Sequence, residues 1–348
     1  MPASMLPRER LMIMAGALIC GAVLVGSLWS PRAVLTGWLG GAVAFGAVPS
    51  GALLLMMMMR LIPGIWGEEL RLSTEAATLL TPLAALVMLP VLIGMAAIYP
   101  WAGDRSLHPF QLFWLSPLPF MLRTVLRFGA QWALGHRMQR RQRQTATAGL
   151  GVVLMPILTS LVAVDWLMSL DPDFASSAFG LEFLQREVTI AFCALLFLRL
   201  ASGRVPRRIG VLGALLLTLL LLSAYFLFLP FFVIWSSNLA PDVEWYARRW
   251  SPEWEVVAWS FGLLGGLPLL ALLFARARES AGWLMPLSLA VLMSALLQLA
   301  WVALPGRGGL AALAFCTSTA GLGLIAAALL PMALRHRIRE RLSREARP

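Results

Sequence analysis

The sequence reads IGVLGALLLTLLLLSAYFLFLPFFVIW from residue 209 to residue 235, without a charged side chain. A helix needs about 20 predominantly apolar residues to cross the hydrocarbon core of a bilayer. In hydrocarbon every backbone N–H and C=O must be paired within the protein, so only helices and closed barrels span membranes. Barrel strands would read as alternating segments of about ten residues. This continuous apolar run therefore predicts a transmembrane helix.

The composition extends this interpretation to the whole chain. Of 348 residues, 59% are hydrophobic and 13% are charged, and the mean hydropathy is +0.80. Soluble domains carry about 25% charged residues, and a soluble globule needs polar cover that this composition cannot supply. The net charge of +11 is carried by arginines that mostly lie between apolar runs, so it indicates membrane topology rather than nucleic-acid binding.

Hydropathy predicts an all-α polytopic membrane protein of about ten transmembrane helices in a single membrane domain without a soluble module. A basic tail, 335–348, follows the last span. The predicted spans are 11–29, 34–59, 76–98, 115–135, 148–170, 184–202, 209–235, 254–275, 283–304 and 309–334.

The distribution of arginine supports this count. With the N-terminus in the cytoplasm and the spans alternating, 20 of the 28 basic residues, all arginine, fall on the cytoplasmic side. Six, including Arg186, fall on the opposite side, and Arg123 and Arg127 lie within the membrane. Because positive charge collects in cytoplasmic loops, this separation predicts ten spans with both termini cytoplasmic.

Two charged groups within the predicted spans are expected to pair. Arg123 lies about eight residues, or ~12 Å, from the outer end of span four, and Asp165 lies ~8 Å from the outer end of span five. Neighbouring antiparallel helices would bring them together. Arg127, one turn deeper, would cost at least ~2.5 kcal/mol if unpaired, so it should face the bundle interior, a partner or a water-filled cavity.

Other charged residues begin the third span. Glu68, Glu69, Arg71 and Glu75 lie at its cytoplasmic boundary, where Arg71 and Glu75 are i, i+4 neighbours. A solvated helix start is the simpler interpretation of this cluster. Intramembrane ionisable residues are functional-site candidates, but the Arg123–Asp165 pair could equally be a static contact that fixes helix packing.

The predicted outer segments are acidic and aromatic. They read SLDPDFASSAFGLEF at 169–183 and WSSNLAPDVEWYARRWSPEWEVVAW at 235–259. Their aromatic residues suit the interfacial belt of a membrane protein. A docking surface for a peripheral partner is an equally good interpretation, because aromatic residues and arginines are also typical of interfaces.

The sequence lacks the motifs that are typical of metal, haem, nucleotide and hydrolase sites. The cysteines Cys20, Cys193 and Cys316 lie singly in apolar spans, which indicates core packing rather than a metal site. The histidines His108, His136 and His336 lie in loops, at a helix end or in the basic tail, so no pair can ligate a haem across a bundle. Neither a Walker A sequence nor a hydrolase motif is present.

Four segments resemble the NrfD-like membrane subunits of alternative complex III, a bacterial quinol:cytochrome c oxidoreductase. IWGEELRLSTEAATLLTPLA at 65–84 resembles the family's W-x4-R-x3-E helix start, and PLPFMLRTVLRF at 117–128 its Pro-Phe-Phe-x-x-Arg helix. DWLMSLDPDFASSAFG at 165–180 and FFVIWSSNLAPDVEWYARRW at 231–250 resemble two further family stretches. The motif positions are Trp66, Arg71, Glu75, Arg123, Asp165, Trp166, Ser169, Leu170, Asp171, Pro172, Ser176, Phe179, Gly180, Trp235, Asn238, Glu244, Trp245, Tyr246 and Arg248.

Among these subunits the chain resembles most closely the second quinone-subunit homologue, the F subunit. The resemblance implies two four-helix bundles, here 34–170 and 184–304, with one peripheral helix at each end, 11–29 and 309–334. It also implies a location in the bacterial inner membrane. The chain departs from the pattern at Arg127, where the family has Tyr, and at Leu264, where it has His. A divergent paralogue serving another respiratory complex is the open alternative.

The resemblance implies a cofactor-free subunit whose partners hold the redox groups. Those partners would be an iron–sulfur protein, a multihaem cytochrome c and a sister quinone-binding subunit, so iron–sulfur clusters and haem c belong to them. Glu68, Glu69, Glu75 and Arg71 would form the inner mouth of a proton path that continues through Arg127, Arg123 and Asp165. A free-standing secondary transporter and a quinone-binding membrane anchor are the alternatives.

Overall fold

The computed structural model describes residues 5–102, 109–140, 145–203, 206–237 and 240–345. Within these ranges all regular secondary structure is helical. Short 3-10 helices cover Pro100–Ala102, Met168–Leu170 and Arg248–Trp250. The α-helices are α1 (Pro7–Gly26), α2 (Pro31–Leu61), α3 (Ile65–Thr78), α4 (Thr81–Ile93), α5 (Met95–Ile98), α6 (Pro109–Trp114), α7 (Pro117–Arg140), α8 (Thr145–Trp166), α9 (Phe179–Ala201), α10 (Ile209–Ser237), α11 (Ala240–Ala247), α12 (Pro252–Leu272), α13 (Ala275–Arg278), α14 (Ala281–Ala303) and α15 (Gly309–Glu345).

The chain is an all-α polytopic membrane protein. Among the described residues, seven helices are long and apolar enough to cross a membrane, namely α1, α2, α8, α10, α12, α14 and α15. The bent pair α3 and α4 makes an eighth candidate. The other two predicted spans coincide with α7 and α9, which are equally long but carry more charge. The count of ten therefore stays a prediction.

The third predicted span begins earlier than hydropathy indicates. The helical segment starts at Ile65 rather than at residue 76, and it bends by 45° between α3 and α4. The bend follows from Pro82, which has no N–H to donate to the carbonyl of Thr78. The Thr81 hydroxyl donates to that carbonyl instead, at 2.8 Å, so the break leaves no unpaired backbone group there.

Helix α2 lies at the centre of the fold. In the apolar 18-residue stretch that qualifies α2 as a membrane span, 94% is buried inside the protein. The helix contacts α3, α4, α8, α9 and α15. Small residues allow this close approach, as they do between membrane helices generally. A Cβ at Gly37 would overlap the carbonyl oxygen of Ala311 on α15, and one at Gly51 would overlap the carbonyl oxygen of Glu187 on α9.

The ion pairs between helix ends fall into two groups, one at each end of the bundle. At one end of the bundle, here called the Glu75 end, the pairs are Glu75 with Arg60, Arg71 and Arg337, Glu69 with Arg199, and Glu9 with Arg335. At the other, the Asp171 end, Asp171 pairs with Arg248 and Arg249, and Arg307 donates to the Leu170 carbonyl. All residues of the first group come from segments predicted to be cytoplasmic, and all of the second from segments predicted to lie outside.

The basic C-terminal segment continues the last helix. Helix α15 runs from Gly309 through Glu345, and the boundary between the membrane span and the basic tail at residue 334 stays a prediction. The continuation is held because Arg335 and Arg337 reach the carboxylates of Glu9 and Glu75. The last helix therefore ties α1 and α3 together at the Glu75 end.

We expect Gly51→Ala to destabilise the protein by about 1–3 kcal/mol, because the added Cβ must displace backbone of α9. Gly46→Ala is the matched control on the same helix, since a Cβ there meets nothing within 4 Å. The control should be neutral or slightly stabilising, because alanine favours helix over glycine by up to about 1 kcal/mol. Thermal unfolding in detergent measures both. Equal midpoints for the two variants would contradict the close approach of α2 and α9.

Candidate functional site

A buried ion pair joins α7 to α9 in the middle of the bundle. Arg127 is 1% exposed and its Nη2 lies 3.1 Å from Oε2 of Glu187. The same guanidinium donates to the hydroxyl oxygens of Ser50 and Thr159, at 2.9 and 3.1 Å, and to Oε1 of Gln131. Four helices, α2, α7, α8 and α9, thus supply one saturated site, here called the Arg127 network. The expectation that Arg127 faces the interior is confirmed.

The Arg127 network lies between two apolar clusters. One cluster, toward the Asp171 end, includes Phe120, Val162 and Phe183, and the other, toward the Glu75 end, includes Leu134, Met155 and Val188. On each of α7, α8 and α9 the polar residue falls between members of the two clusters. The charges therefore lie at mid-depth, where both water and lipid headgroups are distant.

Hydrogen bonds lead from the Arg127 network toward the Glu75 end. Gln131 Nε2 donates to the hydroxyl of Thr81 at 3.1 Å, and that hydroxyl donates to the carbonyl of Thr78. The Thr78 hydroxyl in turn donates to the carbonyl of Glu75 at 2.8 Å. Polar groups therefore follow one another in a line along the break between α3 and α4 and end at the backbone carbonyl of Glu75, with one interruption between the carbonyl and the hydroxyl of Thr78.

Glu75 itself is buried and surrounded by arginines. Its Oε2 lies 2.7 Å from Arg337 Nη2, and its Oε1 lies 3.2 Å from Arg71 Nε and 3.7 Å from Arg60 Nη2. The predicted Arg71–Glu75 contact is confirmed, but Glu75 is 4% exposed rather than solvated. A solvated helix start fits only Glu68, which is exposed.

Glu69 belongs to a separate contact. Its carboxylate accepts from Arg199 Nη2 at 2.9 Å and from the backbone N–H of Arg207 at 3.0 Å. It therefore joins α3 to the segment between α9 and α10. The structure brings Glu75, Arg71 and Arg127 onto one polar line, whereas Glu69 and Glu68 take part in none of its hydrogen bonds.

The predicted pair of Arg123 and Asp165 is confirmed. Arg123 binds the carboxylate through two nitrogens, with Nε 2.6 Å from Oδ2 and Nη2 2.8 Å from Oδ1. Its Nη2 also donates to the carbonyl of Trp114, and its guanidinium carbon lies 4.3 Å from the centroid of the Trp114 ring. Asp165 is 0% exposed. Two-point pairing of this kind is the strongest contact that a guanidinium and a carboxylate form.

The two ion pairs are close but not connected by hydrogen bonds among the described residues. Arg123 and Arg127 are one turn apart on α7, and Thr159 and Asp165 are nearly two turns apart on α8. The intervening Val162 is 1% exposed and apolar. A proton passing from one pair to the other would need water at this level.

At the Asp171 end, Asp171 and Phe174 in the segment after α8 contact residues of the segment that precedes α12. These contacting residues are here called the platform, namely Asp171, Phe174, Trp245, Arg248 and Arg249. Asp171 Oδ2 lies 3.1 Å from Arg249 Nη2 and Oδ1 lies 3.2 Å from Arg248 Nη1. Phe174 stacks on Trp245 with centroids 4.1 Å apart. Burial lowers the pKa of Arg249 to about 10, opposed by Asp171, which raises it; the side chain thus stays charged at neutral pH.

The remaining motif positions divide between this platform and the core. Buried positions are Trp166, Ser169, Leu170, Phe179, Gly180 and Trp245, while Glu244, Arg248 and Trp235 are exposed. Trp66, Pro172, Ser176 and Tyr246 are partly buried. Asn238 lies outside the described residues. The exposed members leave both interpretations of the outer segments, an aromatic belt and a docking surface, open.

Sequence reasoning missed Glu187, the partner of Arg127. The neighbouring Arg186, which the alternation of spans assigns to the outer side, is 4% exposed within α9 and pairs with Glu182 one turn away. The available signal was the pair of charges inside the predicted span 184–202. Charged residues inside an apolar span are functional or structural contacts by default.

A cavity of about 980 Å³ between α1, α2, α9, α14 and α15 contains none of these groups. Its walls are apolar apart from Arg8 and Glu9 at one end and a few small polar side chains. An apolar groove at the side of a membrane bundle suits lipid chains rather than proton or electron chemistry.

Within the described ranges, no group of three or more His, Cys, Asp or Glu comes together as a metal site. In comparisons with known proteins, no family model matches the chain and no curated protein matches it. The resemblance to NrfD-like subunits therefore stays a prediction that rests on the motif residues alone.

A double-mutant cycle on Arg127→Met and Glu187→Leu tests the buried pair. Each single substitution leaves one buried charge unpaired, which costs about 3–5 kcal/mol. The double variant removes both charges, so we expect it to be destabilised by clearly less than the sum of the singles. Unfolding in mixed detergent micelles measures this, with Arg248→Met as an exposed control. Additive effects would contradict the pairing.

Proposed function

We propose that the chain is a cofactor-free membrane subunit of a bacterial quinol-oxidising respiratory complex of the alternative complex III type. The single observation that carries the proposal is that the segments of resemblance contact one another. Asp165 of the third segment pairs with Arg123 of the second, and Asp171 of the third pairs with Arg248 of the fourth. The Arg123–Asp165 pair is also expected from the depths of the two residues on consecutive spans, so the Asp171–Arg248 contact is the more specific support.

The proposed location is the bacterial inner membrane, with ten spans in two four-helix bundles and a peripheral helix at each end. In this topology the Glu75 end is cytoplasmic and the Asp171 end lies outside. The grouping of ion pairs at the two ends supports the alternation, because each pair joins segments of the same predicted side. The excess of arginine at the Glu75 end supports the orientation.

The proposed role of the platform is docking. Arg248, which pairs with Asp171, has 45% of its side chain exposed, and Trp235, near the end of α10, is 70% exposed. Aromatic residues and arginines are typical of protein interfaces. Electron transfer would take place in partners that dock here and hold iron–sulfur clusters and haem c.

We expect Asp171→Asn to weaken partner binding, because it releases Arg248 and Arg249 from their shared carboxylate. Asp173→Asn is the matched control, since Asp173 is exposed two residues away. Affinity purification of the full chain in mild detergent, with haem absorbance and iron content as readouts, measures the partners retained. The proposal fails if the wild-type chain purifies without iron–sulfur or haem proteins.

The proposed second role is a proton path. Glu75, Glu187 and Asp165 are carboxylates that can gain and lose a proton, whereas Arg71, Arg123 and Arg127 stay charged and fix the potential around them. The polar groups of Gln131, Thr81 and Thr78, which lie between Arg127 and the backbone of Glu75, support the inner half of this path, where water would complete the connection to the Glu75 carboxylate. Glu187 is added to the path because it pairs with Arg127 at mid-depth.

Asp165→Asn and Glu75→Gln should lower the number of protons moved per electron while leaving the complex assembled. Each change removes a titratable group and keeps the size of the side chain, while one acceptor oxygen is replaced by an NH2 donor. Proton uptake and release by the complex in proteoliposomes measure the effect. Glu255→Gln, at an exposed position on α12, is the control. Normal pumping in both variants would show that these carboxylates are structural.

A secondary transporter is the second candidate, because α3 and α4 form a helix broken by 45° beside a polar line. Transporters often place broken helices next to midplane binding sites. A transporter would purify without redox partners and would accumulate substrate in vesicles. Co-purification of haem and iron–sulfur proteins with the chain would exclude this candidate.

A further inference from the structure

A cavity lined in part by polar side chains lies on the other side of α9 from the Arg127 network. It measures about 150 Å³ and is enclosed by α9, α10, α12 and α14. Its polar lining comprises Gln185, Arg186, Thr189, Ser223, Ser294 and Gln298. Its volume corresponds to about five water-sized groups, at roughly 30 Å³ each, which is enough for a small head group but not for a whole lipid.

Arg186 supplies hydrogen-bond donors to this cavity without partners in the protein. The side chain is 4% exposed, and its Nη2 donates to Oε1 of Glu182. Its Nε and Nη1 are buried and have no partner among the described residues. Buried donors of a charged group are almost always satisfied, so these two nitrogens indicate an acceptor in the cavity.

The charge of the site favours a neutral acceptor. Glu182 already neutralises Arg186 through their i, i+4 ion pair, so a bound anion would leave the site with excess negative charge in a low-dielectric region. Gln185 Nε2 is occupied by Thr189 and Ser223. At this cavity, the buried donors that lack a partner in the described part of the chain are those of Arg186, and a carbonyl oxygen is the simplest group that accepts from them without adding charge.

The cavity is reached from the membrane. Ala224 on α10 and Gly262 on α12 line it and are exposed, so the seam between these helices is open at this depth. Gly262 and Gly266 provide the opening, because a Cβ added at either position would meet no other atom within 4 Å. A ligand that arrives through this seam must be soluble in lipid.

We propose that this cavity binds the carbonyl-bearing head of a neutral lipophilic molecule, with Arg186 as the hydrogen-bond donor. The tail of the molecule would extend into the membrane between α10 and α12. A quinone ring and the ester group of a neutral glycerolipid share this chemistry. The inference is independent of the proposed function, since it depends only on the four helices around the cavity.

The test uses the full chain purified in detergent, with decylubiquinone and dioctanoylglycerol as separate probes. Gly262→Leu places a leucine at the cavity mouth, where an added Cβ meets no atom within 4 Å, and Gly129→Leu places the same side chain at an exposed glycine on α7 whose added Cβ is equally free. Native mass spectrometry titrations measure binding of each probe. We expect one probe to bind the wild type and Gly129→Leu equally and Gly262→Leu at least about tenfold more weakly.

Arg186→Met adds a spectroscopic readout, because methionine has no N–H to donate. In infrared difference spectra the carbonyl band of the bound probe should shift toward its unbonded position in this variant, because the donor is lost. Binding of the quinone alone or of the glycerolipid alone identifies the source of the carbonyl. The proposal is overturned if neither probe binds the wild type, which would leave water as the occupant. It is also overturned if Gly262→Leu binds as tightly as Gly129→Leu.

Discussion

The contact between Arg127 on α7 and Glu187 on α9 constrains the middle of the bundle. A charged side chain in hydrocarbon must find a partner or a polar cavity, and this pair also engages Ser50 and Thr159 on two further helices. It thereby fixes the rotation of α7 about its axis. Leu122, Val125 and Trp132, on the other face of α7, are more than half exposed and face lipid as a consequence.

The same constraint explains why α7 and α9 are less apolar than their neighbours. Their charges are compensated inside the protein rather than by lipid or water. Breaking such a pair destabilises a protein more than removing it entirely, so the pair specifies which helices meet. The close approach at Gly51 serves the same contact, because it brings α2 against the backbone of Glu187.

The sequence alone was enough to predict a contact where the two residues lie on consecutive spans. Arg123 and Asp165 could be paired because they lie at similar depths on consecutive antiparallel spans. Glu187 could not be assigned to Arg127, because the two are 60 positions apart and on spans that are not consecutive. Arg337 and Glu75 are 262 positions apart, so their contact depends on how the last helix packs. Hydropathy alone places the start of the third span at residue 76, because it detects apolar runs, whereas the charged cluster and the W-x4-R-x3-E resemblance indicated the earlier helix start.

The two polar regions on either side of α9 suit different functions. The Arg127 network continues toward Glu75 through hydroxyl and amide groups, which suits charge or proton movement. The Arg186 cavity opens toward lipid and is neutral, which suits a bound molecule. Both depend on α9 spanning the membrane despite Glu182, Arg186 and Glu187.

That dependence can be measured by labelling single cysteines at the two ends of α9. In a variant without the three natural cysteines, Ser177→Cys and Ser202→Cys place exposed thiols at opposite ends of the helix. A membrane-impermeant thiol reagent should label one of them in intact cells and the other only after permeabilisation. Labelling of both from the same side would show that α9 does not cross the membrane, and it would contradict the buried Arg127–Glu187 pair as the centre of the fold.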